Sequence, residues 1–137
     1  MIFIKFLHIG IDDTDSPNGM CTTYLGAKII DELKENKIEI EGFPRLIRLN
    51  PFARFKTRGN GAIHFKIPYE GTDINFVKEL ILKTVSDLAM FDCDNTNPGV
   101  VFYSGEITPE MIDYSYKAIH SVITIKEAED FAKKIGA

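Results

Sequence analysis

Hydrophobic and polar positions alternate along the chain in blocks that change period. Residues 2–11 are rich in Ile, Phe and Leu and read as a buried strand, which runs into the polar turn cluster Asp12-Asp13-Thr14-Asp15-Ser16-Pro17-Asn18-Gly19. From Thr22 the period becomes helical. Leu25, Gly26, Ile29, Ile30 and Leu33 share one face, and the pattern stops near Asn36-Lys37. Phe43 to Asn50 reads as a second strand and Gly61 to Ile67 as a third. The connection between them, Pro51 to Asn60, exceeds the roughly 2–5 residues of ordinary hairpin loops, so a special role is expected of it.

Asp73 fits the N-cap of a second helix, with Val77, Leu80, Ile81, Val85 and Leu88 as its apolar stripe. Asn97-Pro98-Gly99 forms a turn before a short fourth strand, Val100 to Tyr103. Thr108-Pro109 starts a third helix with Pro at its first position, and its face is Ile112, Tyr116, Ile119 and Ile123. Thr124 with Glu127 spells a capping box for a final helix through Lys134. This order predicts an α/β (α+β) fold: a ferredoxin-like βαββαβ sandwich with two extra C-terminal helices. A small doubly wound sheet is the main competitor.

The 137 residues, 45% apolar and 26% charged, fit a single globular domain over residues 1–137. No apolar run approaches the roughly 20 residues that span a bilayer, and the N-terminal sequence lacks the order of a secretory signal. The expected location is the cytoplasm, with no membrane partner. Cys21 and Cys93 do not suggest a disulfide framework, and no four-ligand zinc spacing occurs. The net charge of −4 is unevenly spread. Gly42 to Tyr69 contains no Asp or Glu but holds Arg45, Arg48, Arg54, Lys56, Arg58 and Lys66. These six cations leave −10 on the remainder. The basic stretch is either a solvated hairpin or a local phosphate-binding segment.

Three segments carry candidate chemistry. Asp12, Asp13 and Asp15 crowd three carboxylates into four residues after the first strand. Such a set suits Mg²⁺, which takes one or two carboxylates and completes its shell with phosphates and water. The same residues also suit the positive end of the following helix. Gly19-Met20-Cys21-Thr22-Thr23 leads into that helix, where backbone N–H groups favour anions and plain N-capping is the alternative. Cys21 reads as a small buried residue, because neighbouring carboxylates raise a thiol pKa. Lys56-Thr57-Arg58-Gly59-Asn60-Gly61 combines phosphate-binding charge with glycines, and also fits a hairpin turn. It is not a Walker loop. Together the three segments point to Mg²⁺ with a polyphosphate, the requirement of phosphoryl transfer.

Other side chains are more ambiguous. His8 and His64 fall within strands and His120 within a helix, positions that favour structural roles. Asp92, Asp94 and Asn95 fit turn caps. Phe52, Phe55 and Phe65 stack a base or belong to the core.

Five ordered blocks over most of the chain sharpen this picture. They are Ile9-Gly10-Ile11-Asp12-Asp13-Thr14-Asp15-Ser16, Gly19-Met20-Cys21-Thr22-Thr23-Tyr24-Leu25, Pro44-Arg45-Leu46-Ile47-Arg48-Leu49-Asn50-Pro51, Lys56-Thr57-Arg58-Gly59-Asn60-Gly61-Ala62 and Thr96-Asn97-Pro98-Gly99-Val100-Val101. This set resembles the N-terminal portion of the archaeal tRNA(Ile) agmatinylcytidine synthetases. The resemblance implies an ATP-dependent, kinase-like domain. In that family the 2-carbonyl of the anticodon wobble cytidine is activated by phosphorylation, and the primary amine of agmatine displaces the phosphate. It also implies autophosphorylation at Thr22. The site residues expected by analogy are Asp12, Asp13 and Asp15 for Mg²⁺ and ATP, with Gly19, Thr23, Lys56, Arg58, Gly59 and Asn60 around the nucleotide. The implied partners are isoleucine tRNA and agmatine.

Members of the family continue with a Gly-Arg-Gly-rich segment, a second ferredoxin-like domain, an OB-fold and a zinc ribbon, none of which is expected in this sequence. The chain is therefore expected to be incomplete for full activity, and a sheet left exposed favours a homodimer. The alternative is a short non-catalytic nucleotide- or RNA-binding module. A phosphatase of the strand-Asp-x-Asp type fits less well, because Pro17 stands where that signature wants Thr or Val.

Overall fold

The computed structural model describes residues 4–12, 21–48, 61–88 and 98–137. Its elements are β1 (Phe6–Asp12), α1 (Thr22–Glu35), β2 (Arg45–Arg48), β3 (Gly61–Pro68), α2 (Ile74–Leu88), β4 (Gly99–Tyr103), α3 (Pro109–His120) and α4 (Ile125–Ile135). The strands lie in the order β2-β3-β1-β4, and every pairing is antiparallel. Strand β3 thus separates β1 from β2, and β1 separates β3 from β4. Each βαβ unit is split by a strand of the other, as expected of the ferredoxin-like order. A doubly wound sheet, which needs adjacent parallel strands, is excluded.

One sheet face makes the core. Leu7, Ile9 and Ile11 of β1 and Ile63, Phe65 and Ile67 of β3 are buried against Leu25, Ile29 and Leu33 of α1 and Val77, Ile81 and Val85 of α2. The period-2 and period-3.6 stripes therefore meet as the sequence requires. Gly26 sets how closely α1 approaches the sheet: a Cβ there would lie 3.1 Å from Ile63 Cγ2. Between the two helices, the Thr84 hydroxyl donates to Glu32 Oε2 at 2.8 Å. Asp73 caps α2 as expected, its Oδ1 accepting from the Phe76 N–H at 3.1 Å.

Several boundaries differ from the sequence reading. Strand β1 starts at Phe6, so Ile4 and Lys5 lie outside it and Ile4 is exposed, while residues 2 and 3 lie outside the described residues. Phe43 lies before β2 and is 89% exposed, so its apolar character does not mark strand. Cys21 is half-buried, not buried.

The larger correction concerns α3. Its caps form as read: the Thr108 side chain accepts from the Met111 N–H, and α4 carries the Thr124–Glu127 capping box. Yet Ile112, Tyr116 and Ile119 are exposed, and neither helix contains a buried residue. Helices α1 and α2 already supply the buried layer on the sheet, so the α3 stripe has no core to enter. The two C-terminal helices instead touch each other. Tyr114 stacks on Phe131 at 4.0 Å, and Lys117–Glu127 and Lys134–Glu110 pair across them.

Candidate functional site

The alternation that sends Leu7, Ile9 and Ile11 into the core sends His8, Gly10 and Asp12 to the opposite sheet face. Among the described residues the core helices α1 and α2 pack on the other face, and the side chains of this one are half-buried or exposed. Register places them in rows. Asp12 stands opposite Ala62 and Gly99, with Ile47 beyond Ala62. Gly10 stands opposite His64 and Val101, with Arg45 beyond His64. His8 stands between Lys66 and Tyr103.

Asp12 ends β1, and its carboxylate lies over Gly99. A Cβ on Gly99 would come within 2.5 Å of Asp12 Oδ1. The missing side chain at Gly99 thus gives the carboxylate its place at the strand end. The described chain resumes at Cys21, the N-cap of α1, which makes no side-chain cap hydrogen bond. The first turn of α1 holds no acidic side chain, and the N-terminal end of a helix carries partial positive charge. Thr22 in that turn is buried at 7% exposure, whereas Thr23 is exposed. Of the expected site residues, these three (Asp12, Thr22 and Thr23) are described. Asp13, Asp15, Gly19, Lys56, Arg58, Gly59 and Asn60 lie outside the described residues, as do Cys93, Asp92, Asp94, Asn95, Phe52 and Phe55. Asp12 offers a hard oxygen donor of the kind Mg²⁺ takes. Among the described residues no group of three or more His, Cys, Asp or Glu forms a metal cluster.

The sequence reading missed a second feature of this face. His8 Nδ1 and His64 Nε2 lie 3.0 Å apart, and the two ring planes are within 19° of parallel with centroids separated by 5.3 Å, an edge-to-edge pair. Tyr103 lies on the other side of His8, its ring centroid 6.4 Å away. Its hydroxyl donates to the Glu106 carbonyl at 2.6 Å, which fixes the ring. The Lys66 ammonium sits over the Phe6 ring at 4.3 Å. The signal was present as same-parity positions on β1 and β3, but it becomes legible only once the register is known. By contrast Phe65, ambiguous in sequence, is 1% exposed and belongs to the core.

Burial holds the His64 pKa down to about 4, helped by the nearby His8, Arg45 and Lys66. Burial, then Lys66, also lowers that of His8. Both imidazoles are therefore neutral near pH 7. The unfolded chain binds the His64 proton near pH 6.5, whereas the folded chain resists it until about 4. Above that window His64 adds no pH dependence, and as pH falls through it the unfolded state takes up the proton first, so folding stability is lost progressively down to about pH 4. His64→Gln should flatten this part of the stability–pH curve in urea titrations at successive pH values. Carboxylates titrating in the same window cancel in the difference between the two proteins. Because His64 is only half-buried, solvent screening keeps the effect below the full linkage value.

An open-faced antiparallel sheet backed by two helices, with a carboxylate at the end of a central strand, defines an α+β domain of ferredoxin-like strand order. Within that class the chain belongs to the TiaS TCKD domain family, whose model matches residues 8–137. It is 50% identical over 131 residues to the tRNA(Ile2) 2-agmatinylcytidine synthetase TiaS of Pyrococcus horikoshii, covering 96% of this chain and 31% of that protein. The TiaS of Thermococcus sibiricus is 47% identical, with 96% and 30% covered. A crystal structure of a TiaS–tRNA(Ile2)–ATP complex superposes with a TM-score of 0.85 at 40% identity, covering 95% of this chain and 31% of the other. A TiaS–tRNA(Ile2)–AMPCPP–agmatine complex superposes with a TM-score of 0.83 at 36% identity, again covering 95% and 31%. The chain therefore spans about a third of the length of these relatives. Among its described residues no helix is long and apolar enough to cross a membrane.

Proposed function

We propose that this chain is the ATP- and Mg²⁺-dependent, kinase-like part of a tRNA-modifying enzyme that activates the wobble cytidine of isoleucine tRNA for conjugation to agmatine. The observation that carries this reading is the family match along residues 8–137, joined to solved relatives that hold ATP, tRNA(Ile2) and agmatine. The placement of Asp12 supports it. A carboxylate at the end of β1 and the N-terminus of α1 flank the segment that links them, and they offer a cation ligand and an anion-binding end.

In this reading the cytidine 2-oxygen attacks the γ-phosphorus of ATP. The bond from that phosphorus to the bridging oxygen breaks and ADP leaves. The agmatine amine then attacks C2, the C2–O bond breaks, phosphate departs and the amine gives up a proton. When bound, Mg²⁺ neutralises phosphate charge. Asp12, with Asp13 and Asp15, would hold the cation and so help to orient the triphosphate. Gly19, Thr23, Lys56, Arg58, Gly59 and Asn60 surround the nucleotide, and the α1 N–H groups meet phosphate oxygens. Thr22 is the proposed site of autophosphorylation. Its burial favours a second reading, a non-catalytic nucleotide- or RNA-binding module, because a residue at 7% exposure meets ATP only after its cover moves.

Calorimetric titration of the chain with ATP tests the shared part of both readings. Binding is expected with Mg²⁺ and is expected to weaken at least tenfold, about 1.4 kcal/mol, when EDTA removes it. Equal binding with and without Mg²⁺ contradicts the role given to the carboxylates.

A further inference from the structure

We propose that the open face of the sheet is a stacking platform for unpaired RNA bases, with His8, His64 and Tyr103 as its ring surfaces and Arg45 and Lys66 as its phosphate contacts. This inference rests on the tRNA reading above and adds to it the surface that receives the unpaired nucleotides.

Four observations converge on that occupant. Three rings from three adjacent strands lie side by side: His64 on β3, His8 on β1 and Tyr103 on β4. Beside them Gly10 carries no side chain, and the exposed Val101 leans into the space a Cβ there would take, 2.9 Å from its Cγ1, so the floor next to the rings is apolar. Arg45 and Lys66 flank the rings within an otherwise acidic chain. The row of rings also leads along β1 toward Asp12, where the activated base has to arrive.

Aromatic side chains in a positively charged groove are how proteins hold single-stranded nucleic acid, because every base offers a π-face to stack. Neutral imidazoles stack without adding charge, and the hydrogen bond between His8 and His64 locks both rings in place. A second copy of the chain fits this face less well. A two-fold interface between like faces brings two copies of Arg45 and Lys66 into one seam, where crowding of like charge costs association free energy.

The test is fluorescence anisotropy of the folded chain with a labelled single-stranded cytidine heptamer at low salt, with Mg²⁺-ATP titrated into the same preparations. His64→Ala and Tyr103→Ala are each expected to weaken heptamer binding about tenfold. His64→Phe restores it by restoring a ring, which a polar or purely structural role would not do. Lys66→Ala lowers the slope of log affinity against log salt by about one. Circular dichroism confirms that each variant is folded. The proposal is overturned if the wild-type chain does not bind the heptamer. It is also overturned if the ring variants bind within about twofold of wild type, or if an RNA duplex competes as well as the single strand. Sedimentation showing a wild-type dimer that the ring substitutions dissociate assigns the face to self-association and overturns it too. Lost RNA binding with Mg²⁺-ATP binding intact removes this inference alone. Retained RNA binding with no nucleotide binding removes the kinase-like reading alone.

Discussion

Asp12→Asn is expected to lower Mg²⁺-dependent phosphoryl transfer by about 10²-fold or more, with little change in the thermal unfolding midpoint. The carboxamide keeps the shape of the side chain and one carbonyl oxygen but removes the negative charge a hard cation requires. Losing one preorganised electrostatic contact in a transfer site costs about 10²–10³ in rate. The fold should persist because Asp12 ends its strand on the open face and contributes nothing to the apolar core. Gly99→Ala separates position from charge. Its Cβ would enter the space held by Asp12 Oδ1, so the carboxylate must move while its charge remains. A displacement on the scale of 1 Å can cost about 10²-fold when geometry governs the step. Rate loss in both variants, with Mg²⁺ affinity lost mainly in Asp12→Asn, is the expected pattern in single-turnover and binding measurements. Unchanged rates in both would remove Asp12 from the site.

Phe65→Ala is expected to cost about 3–5 kcal/mol of stability in urea unfolding, a value typical of emptying a buried aromatic position. Phe65 is among the largest fully buried side chains and lies in the central strand β3. A small domain has only about 5–15 kcal/mol in total, so much of the margin is removed. Its neighbour His64 points to the opposite face, and His64→Ala should cost far less. Adjacent residues of one strand thus divide the work. Phe65 holds the helices on the sheet, and His64 belongs to the face left open. A small loss at Phe65 would mean that the helical layer packs on the sheet less closely than its burial indicates.

That same pair shows how far the sequence was legible. The strand and helix order, the Asp73 and Thr108 caps and the Thr124–Glu127 box were all readable, because each depends on residues within a turn of one another. The antiparallel split arrangement followed from the order of elements. The face of α3 was not readable. Periodicity reports that Ile112, Tyr116 and Ile119 share a stripe, but only packing decides whether something covers it, and α1 with α2 had already filled the core. Phe65 and the His8–His64 pair were ambiguous for a related reason. Strand parity separates two faces, but assigning one to the core and bringing residues 56 positions apart into contact requires the register. The acidic turn and its following helix carried a chemical expectation through residue type and spacing. Asp12 and the α1 N-terminus are where that reading meets described structure.

The central claim is that this chain carries a working phosphoryl-transfer centre. Its most direct test is the intact mass of the purified chain after incubation with Mg²⁺ and ATP, followed by peptide mapping, with Asp12→Asn, Thr22→Val and Thr23→Val alongside. The account predicts one added phosphoryl group on Thr22, absent in Asp12→Asn and Thr22→Val and present in Thr23→Val. No added mass in the wild-type chain, or a phosphoryl group confined to the exposed Thr23, would contradict it.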